Sequence, residues 1–239
     1  MALPKLETPE HSTILPSTNE TVYFRPFLVG EQKALLIAQE SENTKNQINE
    51  MMRLIDTCCK DIKADQLPVH DIEWLFLQIR IKSVGETSDI ILRCEEGECN
   101  ADNEVTIDLE SAKLIKSEKE VSELIQLTPE ISIELQYPGF QHLKNLNYDK
   151  DGNLRPNELF GLIGDCVISI IDGDEIHGRD DFSKSELTTF IDTMSMVMLD
   201  KIQEYFDNIP KLRIDVEYTC TVCQHKNTLE LEGTQSFFG

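Results

Sequence analysis

Basic side chains are scarce in this chain: 22 Lys and Arg stand against 44 Asp and Glu, a net charge of −22 over 239 residues. Neutralising phosphates takes clustered Lys and Arg, so such a field repels nucleic acid and anionic membrane surfaces. Long apolar runs are missing too. Nothing approaches the ~20 apolar residues of a transmembrane helix, and none is expected. The start, MALPKLETPEHS, has no basic stretch leading into an apolar run, so no signal peptide is expected and a reducing cytosol is the expected compartment. Catalytic signatures are also lacking: there is no Gly-rich phosphate loop, no Gly-x-Ser-x-Gly elbow and no His pair at helical spacing. The five histidines (His11, His70, His142, His177 and His225) are scattered. Cys58 and Cys59 are adjacent, and a vicinal disulfide would be strained, so they form no redox motif. The expectation is a non-enzyme with no small-molecule substrate. The length suits one large or two small domains with a substantial core; with no low-complexity linker to mark a boundary, one domain over residues 1–239 is expected.

What the chain does have is cysteine in a telling arrangement. Four of its seven cysteines fall in two hairpin tips. Cys94 and Cys99 lie between the strand-like runs IILR and VTIDL; Cys220 and Cys223 lie between LRIDVEYT and TLELE. Around the second pair Leu212, Ile214, Val216 and Tyr218 alternate with Arg213, Asp215, Glu217 and Thr219, the period of two that a half-buried strand requires. Two hairpins that each offer a cysteine pair are the halves of a zinc ribbon, four thiolates around one tetrahedral zinc. His225, two residues past Cys223, could replace one thiolate. Two disulfides are the competing reading, which a reducing compartment disfavours. Four protein ligands leave no position for water, so the expected zinc is structural and not catalytic. The remaining cysteines, Cys58, Cys59 and Cys166, read as buried core residues.

Periodicity and punctuation give an α+β layout: a helical body with short antiparallel hairpins, two of which carry the cysteine pairs of a zinc-ribbon-like unit. Residues 1–86 read as an N-terminal hairpin (11–25) and helices over 30–40, 44–59 and 71–82. Residues 87–110 and 211–232 hold the cysteine hairpins, and a strand is expected at 131–137. Residues 138–210 read as a helical region with helices at about 155–171 and 183–206, the second opened by a Ser183–Glu186 capping box. Methionines 51, 52, 194, 196 and 198 suit either core or an adaptable docking face. The stretch NYDKDGNLRPNE at 147–158 has the spacing of a calcium loop, with Asn147, Asp149, Asp151, Asn153 and Glu158 as candidate ligands. Asn at the first position, Arg155-Pro156 at the ninth and tenth, and the absence of a second loop favour a plain turn over a calcium site. At the end of the chain Phe237 and Phe238 either pack back on their own chain or fill a partner's pocket.

Three stretches carry a family resemblance: YFRPFLVGEQKALLIAQES at 23–41, IEWLFLQIRIKSVGETSDIILRC at 72–94, and KIQEYFDNIPKLRIDVEYTCTVCQHKNTLELEG with the closing SFFG at 201–239. They resemble the T-even-type phage baseplate hub assembly proteins, most distinctively in Arg25-Pro26-Phe27, in Lys82-Ser83-Val84-Gly85 and in the last cysteine hairpin. The resemblance runs from about residue 2 to the end. It implies a late phage protein made in the cytoplasm of the infected bacterium, which acts there or in the virion tail baseplate. Its role would be structural or chaperone-like, in building the central hub of a contractile tail, with other hub proteins as partners and no nucleic acid or membrane. The loop at 147–158 and the segment DGDEIHGRDD at 172–181 are not among the features that carry it. Two other functions are compatible with the residues alone: a zinc-ribbon nucleic-acid module, which the charge disfavours, and a calcium-responsive adaptor acting through 147–158.

Overall fold

The computed structural model describes residues 7–40, 44–116, 122–143 and 156–233. In chain order its elements are β1 (His11–Ile14), β2 (Thr21–Phe24), α1 (Val29–Glu40), α2 (Thr44–Cys58), α3 (Val69–Val84), β3 (Thr87–Arg93), β4 (Asp102–Asp108), β5 (Lys113–Ile115), β6 (Leu124–Gln126), β7 (Ile131–Leu135), α4 (Phe140–Leu143), α5 (Pro156–Asp165), β8 (Val167–Asp172), β9 (Glu175–Gly178), α6 (Lys184–Asp192), α7 (Met196–Asp207), β10 (Lys211–Thr219) and β11 (Lys226–Glu232). They form two compact units, one from residues 1–115 and 210–239, the other from 116–209.

In the first unit α3 is the centre. Ile72, Leu75, Leu77 and Ile79 are fully buried, so the helix is apolar around most of its circumference. Pro68 precedes its first turn, where a missing N–H costs nothing. Gly85, at φ +133, ends it and donates its N–H to the Ile81 carbonyl. Against Leu77 and Ile81 pack two hairpins, β3–β4 through Ile90 and Ile107, and β10–β11 through Leu212, Ile214 and Val216. The period-two alternation read for β10 is what buries those three residues on one face. β5 pairs with the other edge of β10, Ile115 opposite Lys211, giving a three-stranded antiparallel sheet β11–β10–β5.

Two of the three stretches that carry the family resemblance meet here. The Phe27 N–H donates to Ser83 Oγ (2.9 Å), and Ser83 in turn donates to the Ile79 carbonyl (2.5 Å). Arg25 forks onto Glu31, with Nη1–Oε2 at 3.0 Å and Nη2–Oε1 at 2.6 Å, while Glu31 also accepts the Leu28 N–H at the start of α1. That arrangement holds the Glu31 carboxyl below the usual carboxylate range, chiefly through the Arg25 hydrogen bond.

The second unit is a four-stranded antiparallel sheet, β6–β7–β8–β9, with α5, α6 and α7. Its core joins Ile133 and Leu135 of β7, Ile163 of α5, Val167 of β8, Leu187 and Ile191 of α6, and Ile202 and Tyr205 of α7. Two expectations are corrected here. The helix expected to run from 155 to 171 stops at Asp165, and 167–178 is the β8–β9 hairpin. The expected helix 183–206 is two helices. Thr193 caps the first, and Ser195 opens the second by accepting the Met198 N–H (3.4 Å). The capping box at Ser183 and Glu186 is present. Met194 and Met198 pack against the core, and Met196 is exposed.

Candidate metal centre

The cysteine hairpins are built alike. Strand pairing in β3–β4 ends at Arg93 opposite Asp102, and the Cys94 N–H then donates to the Ala101 carbonyl (2.9 Å). Pairing in β10–β11 ends at Thr219 opposite Lys226, and the Cys220 N–H donates to the His225 carbonyl (2.8 Å). Each first cysteine therefore leaves its strand at the same point of its hairpin. Immediately after each second cysteine the backbone turns left-handed, at Asn100 (φ +44) and Gln224 (φ +62). The first pair is separated by four residues where the second has two. Gly97, at φ +47, takes up the wider loop, in a conformation glycine adopts without steric cost.

The two tips bring four sulfurs together. All four Sγ atoms of Cys94, Cys99, Cys220 and Cys223 lie within 4.8 Å of one another. The close approaches are between hairpins, Cys94 to Cys223 at 3.6 Å and Cys99 to Cys220 at 3.8 Å. A disulfide needs about 2.05 Å, and all four are free thiols. Four thiolates at about 2.3 Å from a common tetrahedral centre would stand about 3.8 Å apart; the two cross-hairpin approaches match that spacing, and all the others fall within 4.8 Å. Cys94 and Cys220 are buried, Cys99 is half-buried and Cys223 is exposed, so the site has a covered floor and one open side.

Hydrogen bonds to sulfur favour the thiolate form. The Cys220 thiol is drawn down to about 6, first by the Cys223 backbone N–H and then, against the opposing effect of burial, by the Val222 N–H. Cys223 goes the other way, to about 12. The His225 backbone N–H lowers it, but desolvation and the hydrogen-bonded Cys99, Cys220 and Cys94 sulfurs raise it more. Four thiols this close cannot all ionise without a cation among them.

Two buried asparagines complete the site, and the sequence reading passed over both. Asn103 and Asn227 are 3% and 2% exposed. Each stands four residues after the second cysteine of its own pair, and each reaches across to the other pair. Asn103 Nδ2 donates to Cys220 Sγ (3.7 Å), and its Oδ1 accepts the Thr221 N–H (2.8 Å). Asn227 Nδ2 donates to Cys94 Sγ (3.7 Å), and its Oδ1 accepts the Glu95 N–H (3.0 Å). The Cys-x-x-x-Asn repeat after both pairs was the available signal. Tyr218 adds one more cross-hairpin bond, donating its hydroxyl to the Arg93 carbonyl (2.8 Å). The His225 side chain is not aimed at the sulfurs: its Nδ1 meets Glu96 Oε2 at 2.9 Å.

The other candidates fall apart from this centre. Of the calcium-loop residues, Asn147, Asp149, Asp151 and Asn153 lie outside the described residues. Glu158 is half-buried in the first turn of α5, lining a cleft with Gln141, His142, Asp165, Arg179 and Lys184. Phe237 and Phe238 also lie outside the described residues. Cys58, Cys59 and Cys166 are buried, and burial pushes their thiols up to about 11, 12 and 12. No described helix is long and apolar enough to cross a membrane.

Residues 8–239 match the family model described as T4 bacteriophage base plate protein. No curated protein and no solved structure matches the chain.

Proposed function

Because the chain belongs to the T4 bacteriophage base plate protein family, we propose that it acts in building the central hub of the baseplate, as a structural part or assembly chaperone held in shape by one structural zinc. Membership makes other phage baseplate proteins its partners. The narrower assignment to the hub is supported by the stretches 23–41, 72–94 and 201–239. Their most distinctive residues join two separate segments in the fold, Phe27 to Ser83. The role is non-enzymatic, carried out in the cytoplasm of the infected bacterium or in the assembled tail.

The observation that carries the zinc is the cluster of four sulfurs within 4.8 Å. Soft thiolates in a tetrahedron suit zinc over the harder divalent cations. The ligands come from segments about 120 residues apart, so the metal would clamp β3–β4 to β10–β11 at their tips. An assembly factor has to present a fixed surface to its partners, and metal binding of this kind contributes directly to folding free energy.

The test is co-expression with the other baseplate proteins of a contractile-tailed phage. Hub proteins should co-purify with the wild-type chain, and the Cys220→Ser/Cys223→Ser double variant should aggregate or lose that association. Co-purification with peripheral baseplate proteins alone would overturn the hub assignment. A soluble, partner-competent double variant would overturn the staple.

A further inference from the structure

We propose that Asn103 and Asn227 are reciprocal positioning residues of the metal centre: each holds the first cysteine of the opposite hairpin in its ligating position. This rests on the zinc reading above. The geometry is a local pseudo-twofold. Asn103, in the strand after the first cysteine pair, donates to the first sulfur of the second pair, Cys220, and accepts the N–H of the next residue, Thr221. Asn227, in the strand after the second pair, does the same to Cys94 and Glu95. Each amide also bonds within its own hairpin: Nδ2 of Asn103 donates to the Ala101 carbonyl (2.8 Å) and Nδ2 of Asn227 to the His225 carbonyl (3.2 Å). Those carbonyls are the ones that accept the N–H groups of Cys94 and Cys220. Each side chain is thus anchored at home and reaches across.

Both amides are buried, so neither has water as an alternative partner, and an unmatched amide there would be costly. Burial is therefore tolerated only when the opposite tip is in place. A hairpin folded alone lacks the second pair of sulfurs and the cross-hairpin partners of its asparagine, keeping only the bond to its own carbonyl. An N–H aimed at a metal-bound thiolate is a charge-assisted hydrogen bond that fixes the sulfur's direction and moderates its charge.

The experiment uses the full chain. Zinc affinity is measured by competition with a chromophoric chelator for the wild type, Asn103→Ala and Asn227→Ala, and cysteine alkylation by iodoacetamide is mapped residue by residue on the zinc-loaded proteins. Loss of an outer-shell partner should weaken zinc binding about 10–100-fold in each variant. Alkylation should be crossed: Asn103→Ala speeds reaction at Cys220, on the other hairpin, and Asn227→Ala speeds it at Cys94. A merely structural role would instead loosen the hairpin that carries the substitution, exposing Cys94 and Cys99 in the first variant and Cys220 and Cys223 in the second. That uncrossed pattern, or zinc affinities within twofold of wild type, overturns the proposal and leaves the zinc reading intact. A wild-type chain that binds no zinc overturns both. Should the variants not fold, the wild type loaded with cadmium-113 decides. Coupling between the metal and the side-chain amide protons of both asparagines is expected, and its absence overturns the proposal.

Discussion

At Ser83 one hydroxyl links two distant segments. It accepts the Phe27 N–H and donates to the Ile79 carbonyl one turn earlier in α3. Ser83→Ala leaves the partly buried Phe27 N–H without that acceptor, which should lower stability by about 1–3 kcal/mol in urea titration. A change below about 0.5 kcal/mol would mean water replaces the hydroxyl at no cost. The buried thiols set a second expectation. An unfolded thiol ionises near 8.5, whereas Cys58, Cys59 and Cys166 in the folded chain ionise at about 11, 12 and 12, chiefly because burial penalises the charged form. Between those values the unfolded chain gives up protons that the folded chain keeps. Their contribution to stability is therefore full below about pH 8.5 and is lost as pH rises toward 12. Metal-loaded protein melted at pH 8 and pH 10.5 should show the drop, and Cys166→Ala should reduce it. At this scale the sequence was informative where chemistry depends on residue type: the four cysteines that cluster and the three buried apart from them could be sorted by their places in hairpin tips and on apolar helix faces. Asn103 and Asn227 were not found, because an asparagine in a strand has many innocuous explanations and its value lies in what stands across from it.

Among the elements, the β8–β9 hairpin shows why local reading failed in one place. Val167, Ile168, Ile170 and Ile171 follow directly on α5, and an apolar run after a helix reads as more helix. The signs of a strand were β-branching and the Asp172-Gly173 step beyond it. Gly173 sits at φ +59 with open space where a Cβ would stand. Gly173→Ala should therefore cost about 1 kcal/mol through backbone strain alone, with no loss from packing. A thermal melt unchanged within error would contradict that. The break between α6 and α7 was hidden for a related reason: the methionines on both sides continue a helical pattern, and only Ser195 with the Met198 N–H marks a new start. The cysteine hairpins, by contrast, were legible because a cysteine pair between two strand-like runs, in the second case after eight alternating residues, is hard to produce otherwise.

Across the whole chain, residues 116–209 stand where a hairpin turn would be. β5 and β10 are antiparallel neighbours with Ile115 opposite Lys211, so the chain leaves the first unit and returns to it at adjacent points. Replacing residues 116–209 with a two- to four-residue turn should leave a folded first unit that keeps all four hairpin-tip cysteines. It should melt cooperatively and retain one metal; a molten product that binds none would show that the second unit is needed for the first. No compositional break announces this division, since both units are acidic and neither junction is rich in Pro, Gly or Ser. The arrangement was visible only once the pairing of β5 with β10 was known.

The central claim is that one zinc joins the two hairpin tips. The measurement that meets it most directly is the metal content of the purified, untagged chain by elemental mass spectrometry, with thiols titrated before and after chelation and then denaturation. The account predicts about one zinc per chain, four thiols that react once the chelator removes it, and three more that react only on unfolding. A chain without zinc, whose four tip thiols react freely from the outset, would contradict it.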